Sequence, residues 1–184
     1  MAQVAEPVLQ EKLSYFGDVK IFLLGFMGSG KTYWGKIWAD QLDYDFFDLD
    51  DLIEKKENKT IDEIFNESGE KYFRDKESEV LESVSQFDNC VIACGGGTPC
   101  YNENLNWVKA HGVAIYLQAT PEQLTQRLLS EKSKRPLIKN IDDNDLFLFI
   151  EKKLHERETF YLQSEFIVPT DKANATTIKG ILNS

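Results

Sequence analysis

The chain has 184 residues, of which 42% are hydrophobic and 12% aromatic, and its formal net charge is −10. This length suits one compact domain that buries roughly 70% of the surface of its unfolded chain. The excess of acidic residues argues against nucleic acid or an anionic membrane as a partner, because both need a basic protein face. No apolar run approaches the roughly 20 residues of a membrane-spanning helix.

We expect residues 1–18 to form a poorly ordered or loosely docked N-terminal extension, and residues 19–184 to form a single domain. The extension carries Glu6 and Glu11 and lacks an apolar core of signal-peptide length, so we expect a cytoplasmic protein. The chain has three cysteines, which are Cys90, Cys94 and Cys100. They show no C-x-x-C spacing and have no histidine nearby, so we interpret them as reduced and mostly buried.

Strand-like and helix-like stretches alternate along the chain, which favours a parallel sheet covered by helices on both faces. The predicted strands are residues 19–24, 45–47, 90–94, 113–118 and 165–168. The predicted helices are residues 31–42, 60–65, 70–86, 123–131 and 142–163. Thr60 with Glu63 is typical of a capping box, and Thr120 followed by Pro121 is typical of a helix start.

A phosphate-binding loop follows the first predicted strand, because residues 25–32 (GFMGSGKT) fit G-x-x-x-x-G-K-[ST]. Its glycines let successive N–H groups point at a phosphate, and the helix N-terminus after the loop favours the anion. Lys31 would reach the β- and γ-phosphates, and the Thr32 hydroxyl would ligate Mg²⁺. A glycine-rich turn that matches by accident is the alternative. The loop lies in register between a strand and a helix, so we predict a nucleoside triphosphate site.

Two acidic residues, Asp48 and Asp50, follow the second predicted strand. Side chains two residues apart at a strand end point the same way, so both can face the phosphate loop. One could hold Mg²⁺ through water, and the other could accept a proton from an attacking hydroxyl. The alternative is an ordinary turn, in which Asp-x-Asp is a common composition.

Three later segments each allow a functional and a plain interpretation. Arg74 and Glu77 lie three residues apart on one helical face. They are either residues of a binding site or an ordinary helix salt bridge. Residues 95–97 are all glycine and follow the third strand. They either leave room for a ligand that side chains would obstruct, or simply form a flexible turn. Residues 132–140 concentrate positive charge between two helices, either as a surface loop or as a mobile lid that closes over phosphates.

The chain has 17 lysines but only four arginines, which are Arg74, Arg127, Arg135 and Arg157. A genomic bias toward lysine would explain the ratio. Arginines that survive such a bias should lie where lysine cannot replace a planar fork that grips carboxylate or phosphate. A kinase that acts on a small anionic molecule would need about this many.

Taken in chain order, the phosphate loop and the motifs D-x-D, F-R-x-x-E, G-G-G, R-P-L and E-R-x-x-x-Y resemble the shikimate kinase family, over about residues 20–171. The resemblance implies an α/β, three-layer P-loop NTPase fold like that of the nucleoside monophosphate kinases. Its five-stranded parallel sheet is flanked by helices, and a mobile lid lies at about residues 132–140. It also implies ATP-dependent phosphorylation of the 3-hydroxyl of shikimate, a step toward chorismate and the aromatic amino acids. We expect a monomer that uses ATP as co-substrate with Mg²⁺.

The resemblance further implies roles for individual residues. Those implied for the nucleotide are Gly28, Ser29, Gly30, Lys31, Thr32, Arg127, Arg135, Thr170 and Asp171, and those for the metal are Thr32 and Asp48. Those implied for shikimate are Asp50, Phe65, Phe73, Arg74, Glu77, Gly95, Gly96, Gly97 and Arg157. The catalytic residues would be Lys31, Asp50 and Arg135. Arg74 and Arg157 would grip the shikimate carboxylate, with Arg74 oriented by Glu77.

Two other functions fit parts of the sequence. A gluconate-type sugar-acid kinase shares the loop and an anionic polyol substrate, but the Asp48/Asp50 pair and the motif from Glu156 to Tyr161 weigh against it. A GTP-dependent switch would need N-K-x-D, and residues 58–61 (NKTI) lack the final aspartate and come early in the chain.

Overall fold

The computed structural model of the protein describes residues 19–132, 135 and 137–183. Its five strands are β1 Lys20–Leu24, β2 Asp45–Asp48, β3 Cys90–Ala93, β4 Val113–Gln118 and β5 Phe166–Pro169. They form one parallel sheet in the order β2-β3-β1-β4-β5. The predicted five-stranded parallel sheet is therefore confirmed. The expected extension at residues 1–18 lies outside the described residues.

Helices cover both faces of this sheet. In the part of the chain that the structure describes, they are α1 Lys31–Leu42, α2 Leu49–Glu57, α3 Ile61–Ser83, α4 Asn104–His111, α5 Pro121–Leu129, α6 Asp143–Tyr161 and α7 Thr177–Leu182. The predicted caps at Thr60 and Thr120 are confirmed, since each side chain accepts a hydrogen bond from the backbone three residues on. Within the described residues, none of the helices has the length and apolarity required to cross a bilayer.

The central strand β1 is buried on both faces, as its continuous apolar sequence requires. Phe22 and Leu24 belong to a core cluster that includes residues of α3 and α6, whereas Ile21 and Leu23 join a second cluster with α1 and α7. Fully burying each such side chain contributes about 1.5–3 kcal/mol. The phosphate loop and the helix after it are thus anchored to the most buried strand.

An aromatic row on α1 joins the phosphate loop to the segment after β5. The ring of Trp34 packs near Gly30 and stacks on Trp38 with ring centroids 5.9 Å apart. The indole N–H of Trp38, which is fully buried, donates to the carbonyl oxygen of Asn174 at 2.9 Å. Two parts of the chain that border the same edge of the sheet are thereby tied together.

The structure corrects several predicted elements. Asp50 does not extend the strand with Asp48: β2 ends at Asp48, whose side chain caps α2 by accepting from the Asp50 N–H at 3.1 Å. The helices predicted at 60–65 and 70–86 run together as α3, with a break at Gly69, where φ is 81°. Helices α2, α4 and α7 are not among the elements predicted from the sequence. The three cysteines are free, two of them buried and Cys100 partly exposed.

Candidate active site

The carboxyl ends of the strands open into a cavity of about 860 Å³. All the site residues predicted from the sequence line it except Asp171. The chain turns after β5, where the Lys172 N–H donates to the Pro169 carbonyl at 3.0 Å. Thr170 consequently lies at the main cavity, whereas Asp171 lines a separate cavity of about 360 Å³ beside Thr120.

The phosphate loop owes its shape to its glycines, since Gly25, Gly28 and Gly30 all have positive φ angles, of 141°, 78° and 93°. Such angles are costly for other residues. Lys31 folds back over the loop, and its Nζ donates to the carbonyls of Gly25 at 2.8 Å and Phe26 at 2.9 Å. The buried hydroxyl of Ser29 has no hydrogen-bond partner among the described residues, which fits a loop built to receive an anion.

The ammonium of Lys31 is buried, and burial lowers its pKa from 10.5 to about 8. The negative charges of Asp50 and Asp48 oppose this shift. A phosphate would add negative charge beside the ammonium and restore the charged form. Lys31 is therefore positioned as a phosphate ligand.

Thr32 and Asp48 present oxygen ligands side by side. The Thr32 hydroxyl donates to Asp48 Oδ2 at 2.7 Å, while Asp48 Oδ1 caps α2. Mg²⁺ prefers oxygen ligands and is usually held by one or two protein groups together with phosphates and water. The described residues contain no group of three or more His, Cys, Asp or Glu side chains that could hold a metal alone. The pair fits Mg²⁺ bound together with a nucleotide.

Asp50 is placed to exchange a proton near neutral pH. Burial is the main reason that its pKa lies at about 7 rather than 3.8, and the negative charges of Asp48 and Glu77 act in the same direction. The positive charges of Lys31 and Arg135 oppose the shift. A carboxyl group with a pKa near the working pH suits general base catalysis.

A buried ion pair also lines the cavity. Glu77 is 0% exposed, and its carboxylate accepts from Arg74 Nη1 at 2.8 Å and from the Thr98 hydroxyl at 2.6 Å. A buried carboxylate with two such partners is held in one orientation. The guanidinium of Arg74 is therefore fixed at the cavity wall.

The three glycines after β3 allow this arrangement because they lack side chains. A Cβ atom on Gly97 would lie 2.7 Å from both terminal nitrogens of Arg74, and one on Gly95 would lie 2.6 Å from Glu77 Oε1. The carbonyl of Gly96 accepts from Arg157 Nη1 at 3.2 Å and from the Tyr161 hydroxyl. The E-R-x-x-x-Y motif on α6 thereby secures the glycine loop.

Two further arginines border the phosphate loop. Arg127 on α5 donates to the Gly28 carbonyl at 3.1 Å and to the Thr170 hydroxyl at 3.4 Å. Arg135 pairs with Glu131 at 3.1 Å, and its buried Nε has no partner among the described residues. The predicted lid is described only in part, because residues 133, 134 and 136 lie outside the described residues. One of its side chains, Ile138, is fully buried.

The family profile for shikimate kinase matches residues 27–184. The chain belongs to the shikimate kinase family. It is 40% identical over 154 residues to a shikimate kinase of Bacteroides thetaiotaomicron, a match that covers 84% of this chain and 88% of the relative.

Solved structures of shikimate kinases share the fold of this chain. The crystal structure of shikimate kinase from B. thetaiotaomicron superposes with a TM-score of 0.81 at 38% identity, covering 90% of this chain and 94% of that one. Shikimate kinase from Acinetobacter baumannii in complex with shikimate gives a TM-score of 0.82 at 30% identity, covering 92% and 94%. Membership in the shikimate kinase family sets aside the sugar-acid kinase and the GTP-dependent switch.

In this member of the shikimate kinase family, three residues around the ion pair are not among those predicted from the sequence. Thr98 binds Glu77, and both Glu70 and Tyr101 contact Arg74. Only Glu70 left a signal in the sequence, since it precedes Arg74 by four residues on a helix. Tyr101 lies 27 residues beyond Arg74 and meets it because the segment after β3 packs against α3.

Proposed function

We propose that this protein transfers the γ-phosphoryl group of ATP to the 3-hydroxyl of shikimate, giving shikimate 3-phosphate for chorismate and aromatic amino-acid biosynthesis. One observation carries the proposal: a single cavity joins a phosphate-binding loop to a buried arginine, with a carboxyl group of pKa about 7 also on its wall. Such a lining suits a nucleotide, a transferred phosphoryl group and an acceptor with one carboxylate.

At the nucleotide end, the N–H groups of the phosphate loop bind the β- and γ-phosphates. Lys31 exchanges its two carbonyl partners for phosphate oxygens, which gain more from its charge than neutral carbonyls do. Mg²⁺ held by Thr32 and Asp48 would neutralise charge on the phosphates. Arg127 lies on the adenine side, next to Thr170.

At the acceptor end, Arg74 and Arg157 bind the carboxylate of shikimate, while Phe65 and Phe73 form the wall of the pocket. Asp50 binds the attacking hydroxyl and takes its proton as the bond to phosphorus forms. Transfer is direct and in line, so catalysis comes from positioning and electrostatics.

The segment at residues 132–140 acts as a lid. Its Arg135 reaches the transferring phosphoryl group, and its closure excludes water that would otherwise hydrolyse ATP. Lys139 already pairs with Asp62 near the start of α3 at 2.7 Å, which supports contact between this segment and the acceptor side. We place the enzyme in the cytoplasm as a monomer.

The direct test is a coupled assay of ADP release with shikimate, with gluconate or without an acceptor, each with ATP or GTP. We expect turnover only with ATP and shikimate. Lys31→Ala serves as the inactive control, since losing its charge should lower kcat/KM at least about a hundredfold. Turnover of gluconate above that of shikimate, or equal activity of Lys31→Ala, would contradict the proposal.

A further inference from the structure

Three of the five N–H groups of the Arg74 guanidinium donate to two glutamates, Glu70 and Glu77. Nε and Nη2 donate to one oxygen of Glu70, at 3.4 and 3.1 Å, and Nη1 donates to Glu77 at 2.8 Å. A guanidinium carries one N–H on Nε and two on each terminal nitrogen. Among the described residues, one N–H on each terminal nitrogen is thus left without a side-chain partner. A carboxylate that meets both terminal nitrogens along the end-on edge would make two parallel bonds.

Tyr101 contacts both members of the outer ion pair. The Cζ atom of Arg74 lies 4.4 Å from the centre of the Tyr101 ring, a cation–π contact, and 5.0 Å from that of Phe73. The Tyr101 hydroxyl donates to Glu70 Oε1 at 3.3 Å, the same oxygen that Arg74 uses. The next residue, Asn102, donates to the Arg74 carbonyl at 3.2 Å and fixes the segment against α3.

The contact matters because Glu70 is itself a carboxylate beside the acceptor's arginine. Its side chain is 53% exposed and follows the helix break at Gly69, so the local backbone leaves it room to turn. A free Glu70 would take the two remaining N–H groups of Arg74 and compete with the carboxylate of an acceptor. The hydroxyl and ring of Tyr101 hold Glu70 and the guanidinium in an arrangement that leaves that edge open.

We propose that Tyr101, acting with Glu70, is a positioning residue that keeps the end-on edge of Arg74 free for the acceptor's carboxylate. This inference rests on the proposed function. It assigns Tyr101 no contact with the reacting atoms. Its effect should therefore appear in the KM for the acceptor and in selectivity for a carboxylate, while the KM for ATP stays constant.

Tyr72 provides a matched control on α3. It is 37% exposed against 38% for Tyr101, its hydroxyl donates to Glu57 at 2.7 Å, and Lys76 lies 5.7 Å from its ring. It thus has the same kinds of contact as Tyr101, but its partners are Glu57 and Lys76 rather than Glu70 and Arg74.

The experiment measures KM for shikimate and for ATP in the parent and in Tyr101→Ala, Tyr101→Phe and Tyr72→Ala. We expect Tyr101→Ala to raise the KM for shikimate about 5- to 30-fold, and Tyr101→Phe, which keeps the ring, by less than about fivefold. Tyr72→Ala should leave it within about twofold. Should Tyr101→Ala fail to fold, Tyr101→Leu keeps the apolar bulk and removes the aromatic face.

A second readout compares shikimate with its methyl ester, which lacks the charge. The preference of the parent for shikimate should shrink at least about fivefold in Tyr101→Ala, and a loss of general stability would not change this ratio. An active parent whose Tyr101→Ala and Tyr72→Ala variants give the same KM and the same preference would overturn the inference alone. A parent inactive on shikimate would overturn the proposed function and the inference with it.

Discussion

Gly97→Ala adds one methyl group to the proposed acceptor site and tests its geometry sharply. Gly97 has φ −102° and ψ −14°, which alanine adopts without strain. The new Cβ would lie 2.7 Å from Nη1 and Nη2 of Arg74 and 2.8 Å from its Cζ. The guanidinium must retreat by roughly 0.8 Å to regain an ordinary separation of about 3.5 Å.

This retreat should remove the paired contact with the acceptor's carboxylate. Charge-assisted hydrogen bonds contribute about 1.5–3 kcal/mol each, so the KM for shikimate should rise roughly ten- to a hundredfold. The KM for ATP should stay within about twofold, because the loop that binds the phosphates is not displaced. Crowding against the Arg74–Glu77 pair should also lower the free energy of unfolding by about 1–3 kcal/mol.

The coupled ADP-release assay gives both KM values, and a urea titration gives the free energy of unfolding. Gly180→Ala is the control, since a Cβ there meets nothing within 4 Å and the residue lies inside α7. Alanine is the better helix former, so this variant should be as active as the parent and at least as stable. A Gly97→Ala protein with the parent's KM for shikimate would show that Arg74 does not bind the acceptor.

Three further predictions concern the metal, the buried acid and the lid. Asp48→Asn should raise the Mg²⁺ concentration needed for half-maximal rate several-fold. Asp50→Asn should instead lower kcat with little change in that concentration. An equal dependence of both variants on Mg²⁺ would contradict this division of roles. In nucleotide-free protein stripped of metal with EDTA, Asp50→Asn should stabilise the fold at pH 8. The gain should be on the order of 1–3 kcal/mol after allowance for solvent screening. The native pKa of about 7 exceeds the ordinary 3.8. The charged Asp50 carboxylate therefore lowers the free energy of unfolding above pH 7, and this cost falls as the pH drops through 7 and vanishes near pH 4. Urea unfolding measures the gain of Asp50→Asn at each pH. A gain that does not change with pH would refute this prediction. Proteolysis within residues 132–140 should slow several-fold when a non-hydrolysable ATP analogue and shikimate are bound together, and unchanged cleavage would make this segment an ordinary loop.

Local chemistry made the phosphate end of the site predictable. The loop from Gly25 to Thr32 needs glycines, a lysine and a hydroxyl at fixed spacing, and a buried strand such as β1 is a continuous apolar run. The sequence does not reveal helix α2, because residues 49–57 (LDDLIEKKE) are mostly charged and its N-cap, Asp48, is also the last residue of β2. One side chain has two uses there, and a linear pattern shows only one of them.

The acceptor end depends on contacts between distant parts of the chain, which spacing alone does not reveal. Arg74 and Glu77 are close in sequence, but Thr98 and Tyr101 reach them only through the packing of α3 against the segment after β3. Likewise, the N-cap of α4, Glu103, has φ 58° and its side chain accepts no capping hydrogen bond. The start of α4 therefore shows no capping motif in the sequence. Tertiary packing decided these elements.

The aromatic row on α1 should let intrinsic tryptophan fluorescence report ligand binding. Of the three tryptophans, Trp34 lines the cavity, Trp38 is fully buried, and Trp107 packs in the other core cluster against Phe22. Filling the cavity changes the polarity around one indole only, so intrinsic fluorescence should change as ATP is added, without any attached dye. Trp34→Phe should abolish that change while Trp107→Phe preserves it, and a titration of emission intensity would then give the dissociation constant of the nucleotide in the absence of turnover.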